Sequence, residues 1–133
     1  MVIDSSALIA ILRDEHEGVA MLRAMRAAPT RSISAVTLLE ASMVMEGGWG
    51  RDGRRDLDRI LHAFQVETVA FDAEQSELAR SAWQEYGKGR HPAGLNLGDC
   101  CVYALAELRG EPILAKGNDF ARTPIKVVAL DPV

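Results

Sequence analysis

The sequence predicts an α/β fold in which helices cover both faces of a mostly parallel central sheet. Short apolar runs of strand length alternate along the chain with segments of helical periodicity, which is the pattern of βαβ units. Parallel sheets built from such units are buried on both faces. The length of 133 residues and the hydrophobic fraction of 48% suit one core, so we expect a single domain over residues 1–133.

The first elements are a strand, two helices and a second strand. Residues 1–4 form a short apolar run that stops at Asp4, as a buried first strand does. Apolar spacing then predicts a helix over 8–12 and another over 19–25. The pair Ala28-Pro29 ends the second helix, because proline disfavours a helical residue before it. Residues 32–34 fit a short strand.

The middle of the chain continues the alternation. Helical periodicity runs over 36–46, and the glycine-rich run Gly47–Gly50 is expected to break it. Residues 57–64 follow i, i+3, i+4, i+7 spacing, which predicts an amphipathic helix. Residues 66–71 alternate as a strand, and residues 78–86 carry a further helix.

The last third begins with its least structured segment, Gly87–Leu95. Residues 97–108 then indicate a helix that Gly110 ends, since glycine favours the left-handed conformation found after helix ends. Two apolar runs, 113–115 and 127–130, are predicted as strands.

Composition excludes several classes of protein. No apolar run approaches the ~20 residues of a membrane span, and the start lacks the basic region of a signal peptide, so we expect a cytoplasmic protein with no membrane partner. The adjacent Cys100 and Cys101 make a poor metal pair and fit buried small hydrophobes better. A net charge of −4 speaks against a protein that coats nucleic acid, but not against a nuclease. The basic residues cluster in two segments, Arg51, Arg54, Arg55 and Arg59, and Lys88, Arg90 and His91.

Four acids stand where one predicted element gives way to another. Asp4 ends the first strand, Glu40 and Asp99 lie in the first turns of helices, and Asp119 follows the strand at 113–115. Strand C-termini and the following helix N-termini gather at one edge of a parallel sheet, where ligands bind. The four carboxylates are therefore expected to converge there.

Each acid also has a purely structural interpretation. Asp4 fits a helix N-cap, and Thr37 with Glu40 matches a capping box. Asp99 falls at N3 if Asn96 is the cap, and Asp119 can close a turn. Capping does not require the acids to converge, whereas a metal site does.

Convergence would favour a particular chemistry. Several carboxylates packed together repel one another unless a cation neutralises them. An all-oxygen ligand set without histidine or cysteine favours Mg²⁺ or Mn²⁺ over zinc. Such an ion activates water and stabilises charge on a phosphate, so the pattern favours a phosphodiester hydrolase.

Four segments in order resemble PIN-domain ribonuclease toxins of the VapC type. They are VIDSSAL (Val2–Leu8), ISAVTLLEA (Ile33–Ala41), LNLGDCCVYALA (Leu95–Ala106) and ILAKGNDFARTPI (Ile113–Ile125). The resemblance spans essentially the whole chain. It implies a three-layer α/β/α sandwich, Mg²⁺- or Mn²⁺-dependent endoribonuclease activity on RNA, a homodimer, and a small cognate antitoxin that blocks the site.

The resemblance also implies roles for particular residues. It makes Asp4, Glu40 and Asp99 metal-binding and catalytic acids, with Ser5 or Ser6 beside the first and Asn96 orienting the third. Many relatives carry an acid or asparagine soon after the last strand, where this chain has Gly117. We therefore take Asp119 as the fourth metal-binding and catalytic acid and keep Asn118 as its alternative.

We further expect Lys116 and the basic residues of Gly87–Leu95 to meet RNA phosphates, although Lys116 also fits a solvated strand-end lysine. Trp49 and Trp83 are candidate antitoxin anchors, but core packing is the better interpretation for Trp83. Two other functions stay open: a receiver-like phosphoacceptor module and a catalytically silent PIN-fold binding protein. The first normally needs an adjacent acid pair after its first strand, and here Asp4 is followed by two serines.

Overall fold

The computed structural model describes residues 1–132, which form five helices and a four-stranded sheet. The elements in chain order are β1 (Val2–Ile3), α1 (Ser5–Leu12), α2 (Gly18–Ala27), β2 (Ser32–Ser34), α3 (Ala35–Ala63), β3 (Glu67–Val69), α4 (Ala73–Tyr86), α5 (Leu97–Arg109) and β4 (Ile113–Leu114). None of the helices in this part of the chain combines the length and the apolar character needed to cross a bilayer.

The strands form one sheet in the order β3-β2-β1-β4. Val2 pairs with Ser32 on one side and Ile113 on the other, and every strand pairing is parallel. The strands therefore all end at the same edge, at which Asp4 follows β1 and α3 begins directly after β2. The predicted α/β fold with a parallel central sheet is confirmed.

Side chains of the neighbouring strands β1 and β4 alternate between two apolar cores, as the period of a strand requires. Val2 and Ile113 pack with α4 and α5 in one cluster, which we call the α5 core. Ile3 and Leu114 pack with α1, α2 and α3 in a second cluster, the α1 core. The sheet is thus the middle of three layers.

The glycine run breaks α3 where its sequence predicts. Helical structure continues through Gly47 and Gly48, and Gly50 leaves helical geometry, with φ 60° and ψ −143°. The element α3 therefore consists of two helices joined at Gly50, as predicted from the periodic segments 36–46 and 57–64 and the glycines between them.

Two expectations about the surface and the sheet are wrong. The segment predicted as a strand over 127–130 pairs with the sheet at one point only, a parallel bridge between Val127 and Ile113. Its apolar side chains Val128 and Leu130 pack against the α1 core without forming a strand, which explains their apolar pattern. Trp83, predicted to pack in the core, is 46% exposed.

Candidate active site

The acidic edge begins with Asp4, whose position follows from the end of β1. Asp4 is the N-cap of α1 and accepts the backbone N–H of Ser6 at 3.1 Å through Oδ2. The hydroxyl of Ser6 donates to the same oxygen at 2.5 Å. That hydroxyl accepts in turn from the backbone N–H of Lys116 at 2.9 Å. Ser6 therefore joins the first acid to the segment that follows β4.

Glu40 reaches the same place from α3. The helix begins at Ala35 with Ser34 as its N-cap, so the capping box predicted for Thr37 and Glu40 is wrong. The carboxylate of Glu40 instead accepts from the Ser5 hydroxyl at 2.6 Å, across a sequence separation of 35 residues. Glu40 thus has no capping role, and the structural interpretation of this acid does not hold.

Asp99 lies at the start of α5. It forms a capping box with Asn96: the Asn96 side chain accepts the Asp99 N–H at 2.9 Å, and Asp99 Oδ2 accepts the Asn96 N–H at 3.1 Å. The predicted cap is confirmed, and it fixes the orientation of a carboxyl group that is 7% exposed.

Gly98 brings α5 against Glu40. A Cβ at this position would lie 2.6 Å from Glu40 Oε2, so glycine lets the carboxylate lie against the helix without being displaced. The role of Gly98 escaped the sequence reasoning. Its signal was a glycine inside the first turn of a helix, where glycine is otherwise unfavourable.

The charges of the four acids act on one another. Burial raises the pKa of Asp4, and the nearby charges of Glu40 and Asp119 raise it further, although hydrogen bonds from Ser6 oppose the shift. Burial is also the main cause that raises the pKa of Asp99 to about 7, with the carboxylates of Asp119 and Asp4 adding to it and the Asn96 N–H opposing it. These effects place Glu40 and Asp119 near Asp4, and Asp119 and Asp4 near Asp99.

Asp119 differs from the other three acids because it stands on an exposed loop. Gly117, two residues earlier, has φ 90°, a left-handed conformation that suits glycine. Its neighbour Asn118 is also exposed and makes no side-chain hydrogen bond within residues 1–132. The coupling of Asp119 to Asp99 and Asp4 favours Asp119 as the fourth acid.

Lys116 is paired with acids of the segment between α1 and α2. Its ammonium is 2.8 Å from Glu15 and 3.8 Å from Glu17, and the hydrogen bond that it donates to Glu15 raises the pKa of the lysine. The contribution of Lys116 to the acidic edge in this structure comes from its backbone N–H, which binds Ser6.

The donor set suits a hard divalent cation. Asp4, Glu40 and Asp99 each use one carboxylate oxygen for protein hydrogen bonds, and the other oxygen has no hydrogen-bond donor within residues 1–132. Carboxylate oxygens are the ligands that Mg²⁺ and Mn²⁺ prefer. Within residues 1–132, no three acidic, histidine or cysteine side chains lie close enough together to hold a metal ion as they stand. The carboxylate oxygens nevertheless suit such an ion, and without a cation the like charges of these acids repel one another.

The chain is similar to known proteins over nearly its whole length. The family model described as PIN domain matches residues 1–126. The chain is 48% identical to the Ribonuclease VapC30 of Mycobacterium tuberculosis (strain ATCC 25618 / H37Rv) over 130 residues, covering 98% of this chain and 99% of that protein. It is also 48% identical to the Ribonuclease VapC of Mycolicibacterium smegmatis over 128 residues, covering 96% and 99%.

Solved structures share the fold at low sequence identity. Mycobacterium tuberculosis VapC20, described as a sarcin-ricin loop cleaving toxin, superposes with a TM-score of 0.77 at 18% identity, covering 96% of this chain and 97% of that one. A toxin–antitoxin complex from Klebsiella pneumoniae gives 0.71 at 22% identity, with coverage of 96% and 95%. A receiver-like module does not fit these findings. The chain belongs to the PIN-domain family, among the VapC ribonucleases.

Proposed function

We propose that the chain is the toxin of a toxin–antitoxin pair, an endoribonuclease that depends on Mg²⁺ or Mn²⁺ held by Asp4, Glu40, Asp99 and Asp119. The observation that carries the proposal concerns three carboxylates at one sheet edge, Asp4, Glu40 and Asp99, each buried or half-buried with one oxygen fixed by the protein and one left without a donor. Helix caps alone would not require Glu40 to cross from α3 to Ser5.

The protein's own part in the reaction is to hold these groups in place. Bound at this edge, the cation would acidify the attacking water and offset the charge developing on the scissile phosphate. Ser6 and Asn96 fix the orientations of Asp4 and Asp99. The Ser5 hydroxyl donates to one carboxylate oxygen of Glu40. The other oxygen of Glu40 would accept a proton from the attacking water.

We also propose a homodimer and a small antitoxin as partners, with RNA as the substrate. The antitoxin is supported by structural neighbours, among them a toxin–antitoxin complex from Klebsiella pneumoniae and VapBC2 from Rickettsia felis bound to a promoter DNA fragment. Leu39, Met43 and Leu97 are exposed apolar side chains that flank Glu40 and Gly98 along the chain. Exposed apolar surface of this kind is typical of protein contacts.

We place this activity in the cytoplasm and in a single unit spanning residues 1–133. The two cysteines are free thiols, which is usual in a reducing compartment. The strands shared by both apolar cores support one folding unit.

The test is cleavage of RNA with added Mg²⁺ or Mn²⁺. We expect Asp4→Asn, Asp99→Asn and Glu40→Gln each to lower kcat/KM by about a hundredfold or more, because metal affinity and water positioning both depend on these carboxylates. Glu46→Gln is the matched control for Glu40→Gln, since Glu46 is an exposed acid on the same helix. Equal activity in wild type and all three site variants would rule out the site.

Calorimetry with Mn²⁺ separates the enzyme from a catalytically silent PIN-fold protein. We expect Mn²⁺ to bind wild type and to bind the Asp99→Asn variant at least about tenfold more weakly. A silent scaffold would show no binding that depends on these carboxylates.

A further inference from the structure

A groove beside α4 is not used by the proposed chemistry. It has a volume of about 600 Å³ and is lined by aromatic, cationic and small side chains from α4, the Gly87–Leu95 loop and the start of α5, including Trp83, Arg80, Arg90, Leu97 and Cys101. Leu97 immediately precedes Gly98, against which Glu40 packs. The groove therefore adjoins the acidic edge.

Trp83 is held in a defined position although its ring is exposed. A Cβ at Gly87 would lie 2.5 Å from Trp83 Cδ1 and 2.7 Å from Nε1, so the indole lies directly against the backbone at that glycine. The guanidinium of Arg90 stands over the ring, 4.5 Å from its centroid. Together they form a fixed aromatic and cationic surface, which we call the Trp83–Arg90 pair.

The charge of the groove is opposite to that of the chain as a whole. Its charged lining residues are Arg80, Arg90 and Glu77, and Glu77 is bound to Arg80 at 2.7 Å. Arg90 has no acidic partner within residues 1–132, so the groove keeps a positive charge in a chain whose net charge is −4. An anionic ligand with a flat ring fits this surface.

We propose that the groove takes an unpaired nucleobase of the RNA, stacked on the Trp83–Arg90 pair, while the positive charge of Arg90 attracts the flanking phosphates. The inference rests on the proposed ribonuclease function, because it places the groove on the path of a strand that reaches the acidic edge. Bases in a duplex are stacked on each other and cannot enter, whereas splayed bases stack on aromatic rings and arginine planes.

The chain offers a matched control in Trp49. This tryptophan is 49% exposed and also lies beneath an arginine, with Arg13 at 5.0 Å from the ring centroid, but it does not line the groove. If RNA binding fell only because an exposed tryptophan beneath an arginine was lost, substitution of Trp49 and of Trp83 would therefore lower it equally.

The experiment measures binding in the Asp4→Asn background, in which cleavage is expected to be suppressed. The probe is a fluorescent single-stranded oligoribonucleotide of about twelve nucleotides, used alone or annealed to its complement. We expect Trp83→Ala to weaken single-strand binding at least about fivefold, the low end for loss of one base stack. Trp49→Ala should bind the single strand within about twofold of the affinity without that change. Trp83→Phe should retain most of the affinity that Trp83→Ala loses, and Trp83→Ala should leave the affinity for the duplex unchanged. In a Trp49→Phe chain, single-stranded RNA should quench the remaining tryptophan fluorescence.

Several outcomes would overturn the proposal. Equal affinity of the Trp83→Ala and Trp49→Ala variants for single-stranded RNA would do so. A change in the sedimentation mass of Trp83→Ala with no change in its RNA affinity would also do so, because the groove would then be a contact with a second copy of the chain. If wild type cleaves RNA and Trp83→Ala does so with an unchanged KM, the groove proposal is wrong and the proposed ribonuclease function is not affected. Binding of single-stranded RNA through Trp83 without any cleavage by wild type would support the groove and contradict the proposed function.

Discussion

At the residue scale, Asp99 combines a structural and a chemical role in one carboxyl group. Its Oδ2 accepts the Asn96 N–H in the capping box that starts α5. Burial and the neighbouring carboxylates meanwhile raise its pKa to about 7. The cap favours the charged form and the surroundings oppose it, so the group is ready to lose its proton when a cation arrives.

The raised pKa of Asp99 predicts how stability depends on pH without metal. Between about pH 4, where an aspartate of the unfolded chain titrates, and about pH 7, the folded chain holds a proton that the unfolded chain has lost. The free energy of unfolding should therefore fall as pH rises through this window. Asp99→Asn cannot ionise, and we expect it to remove on the order of 2 kcal/mol of the difference between pH 5 and pH 8.

Urea denaturation in EDTA at the two pH values measures this difference. Asp58→Asn, which removes an exposed carboxyl on α3, is the control and should keep the wild-type dependence. The same loss of stability between pH 5 and pH 8 in wild type and Asp99→Asn would contradict the prediction.

At the scale of elements, the glycines of α3 have different structural roles. Gly50 adopts φ 60° and ψ −143°, which only glycine reaches without strain, and it sets the kink. A Cβ at Gly53 would lie 2.2 Å from the Met45 carbonyl oxygen, so the two halves of the helix approach there through glycine. Gly47 and Gly48 have open space around them.

Alanine at these positions should therefore have opposite effects. We expect Gly53→Ala to lower the free energy of unfolding by about 1–3 kcal/mol, because backbone must move to admit the methyl group. Gly48→Ala should raise it by up to about 1 kcal/mol, since alanine is the better helix former and meets no neighbour. Chemical denaturation of both variants provides the measurement, and equal stability of the two would show that the approach at Met45 does not matter.

At the scale of the whole molecule, periodicity predicted the parts of the structure that local patterns determine. The parallel sheet followed from the alternation of strands and helices, and with it the position of Asp4 and of the start of α3 at the edge where the strands end. The Asn96–Asp99 cap followed from spacing alone, because a capping box depends on residues within one turn.

The features that sequence patterns missed depend on contacts between distant segments. Ser5 meets Glu40 across 35 residues, and Gly98 is needed only because α3 packs against α5. The segment 127–130 has the apolar pattern of a strand, but the α1 core takes up those side chains without a strand pairing. Trp83 matched an apolar helix face, and nothing in the spacing showed that the groove would leave its ring open.

The shared sheet predicts that the molecule unfolds as one unit. Val2 and Ile113 belong to the α5 core, while their neighbours Ile3 and Leu114 belong to the α1 core. Losing either helical layer would therefore expose one face of the same two strands, β1 and β4, at a cost of ~25 cal/mol for each Å² of apolar surface. Neither layer should remain folded when the other has melted.

The two tryptophans allow each layer to be followed separately. Trp49 lies on α3, which packs on the α1 core, and Trp83 lies on α4, which packs on the α5 core. We expect the Trp49→Phe and Trp83→Phe chains each to show a fluorescence midpoint in urea that coincides with its own midpoint by far-ultraviolet circular dichroism. A fluorescence transition that precedes the loss of helix in only one chain would show that its layer unfolds independently, and the single-domain interpretation would then fail.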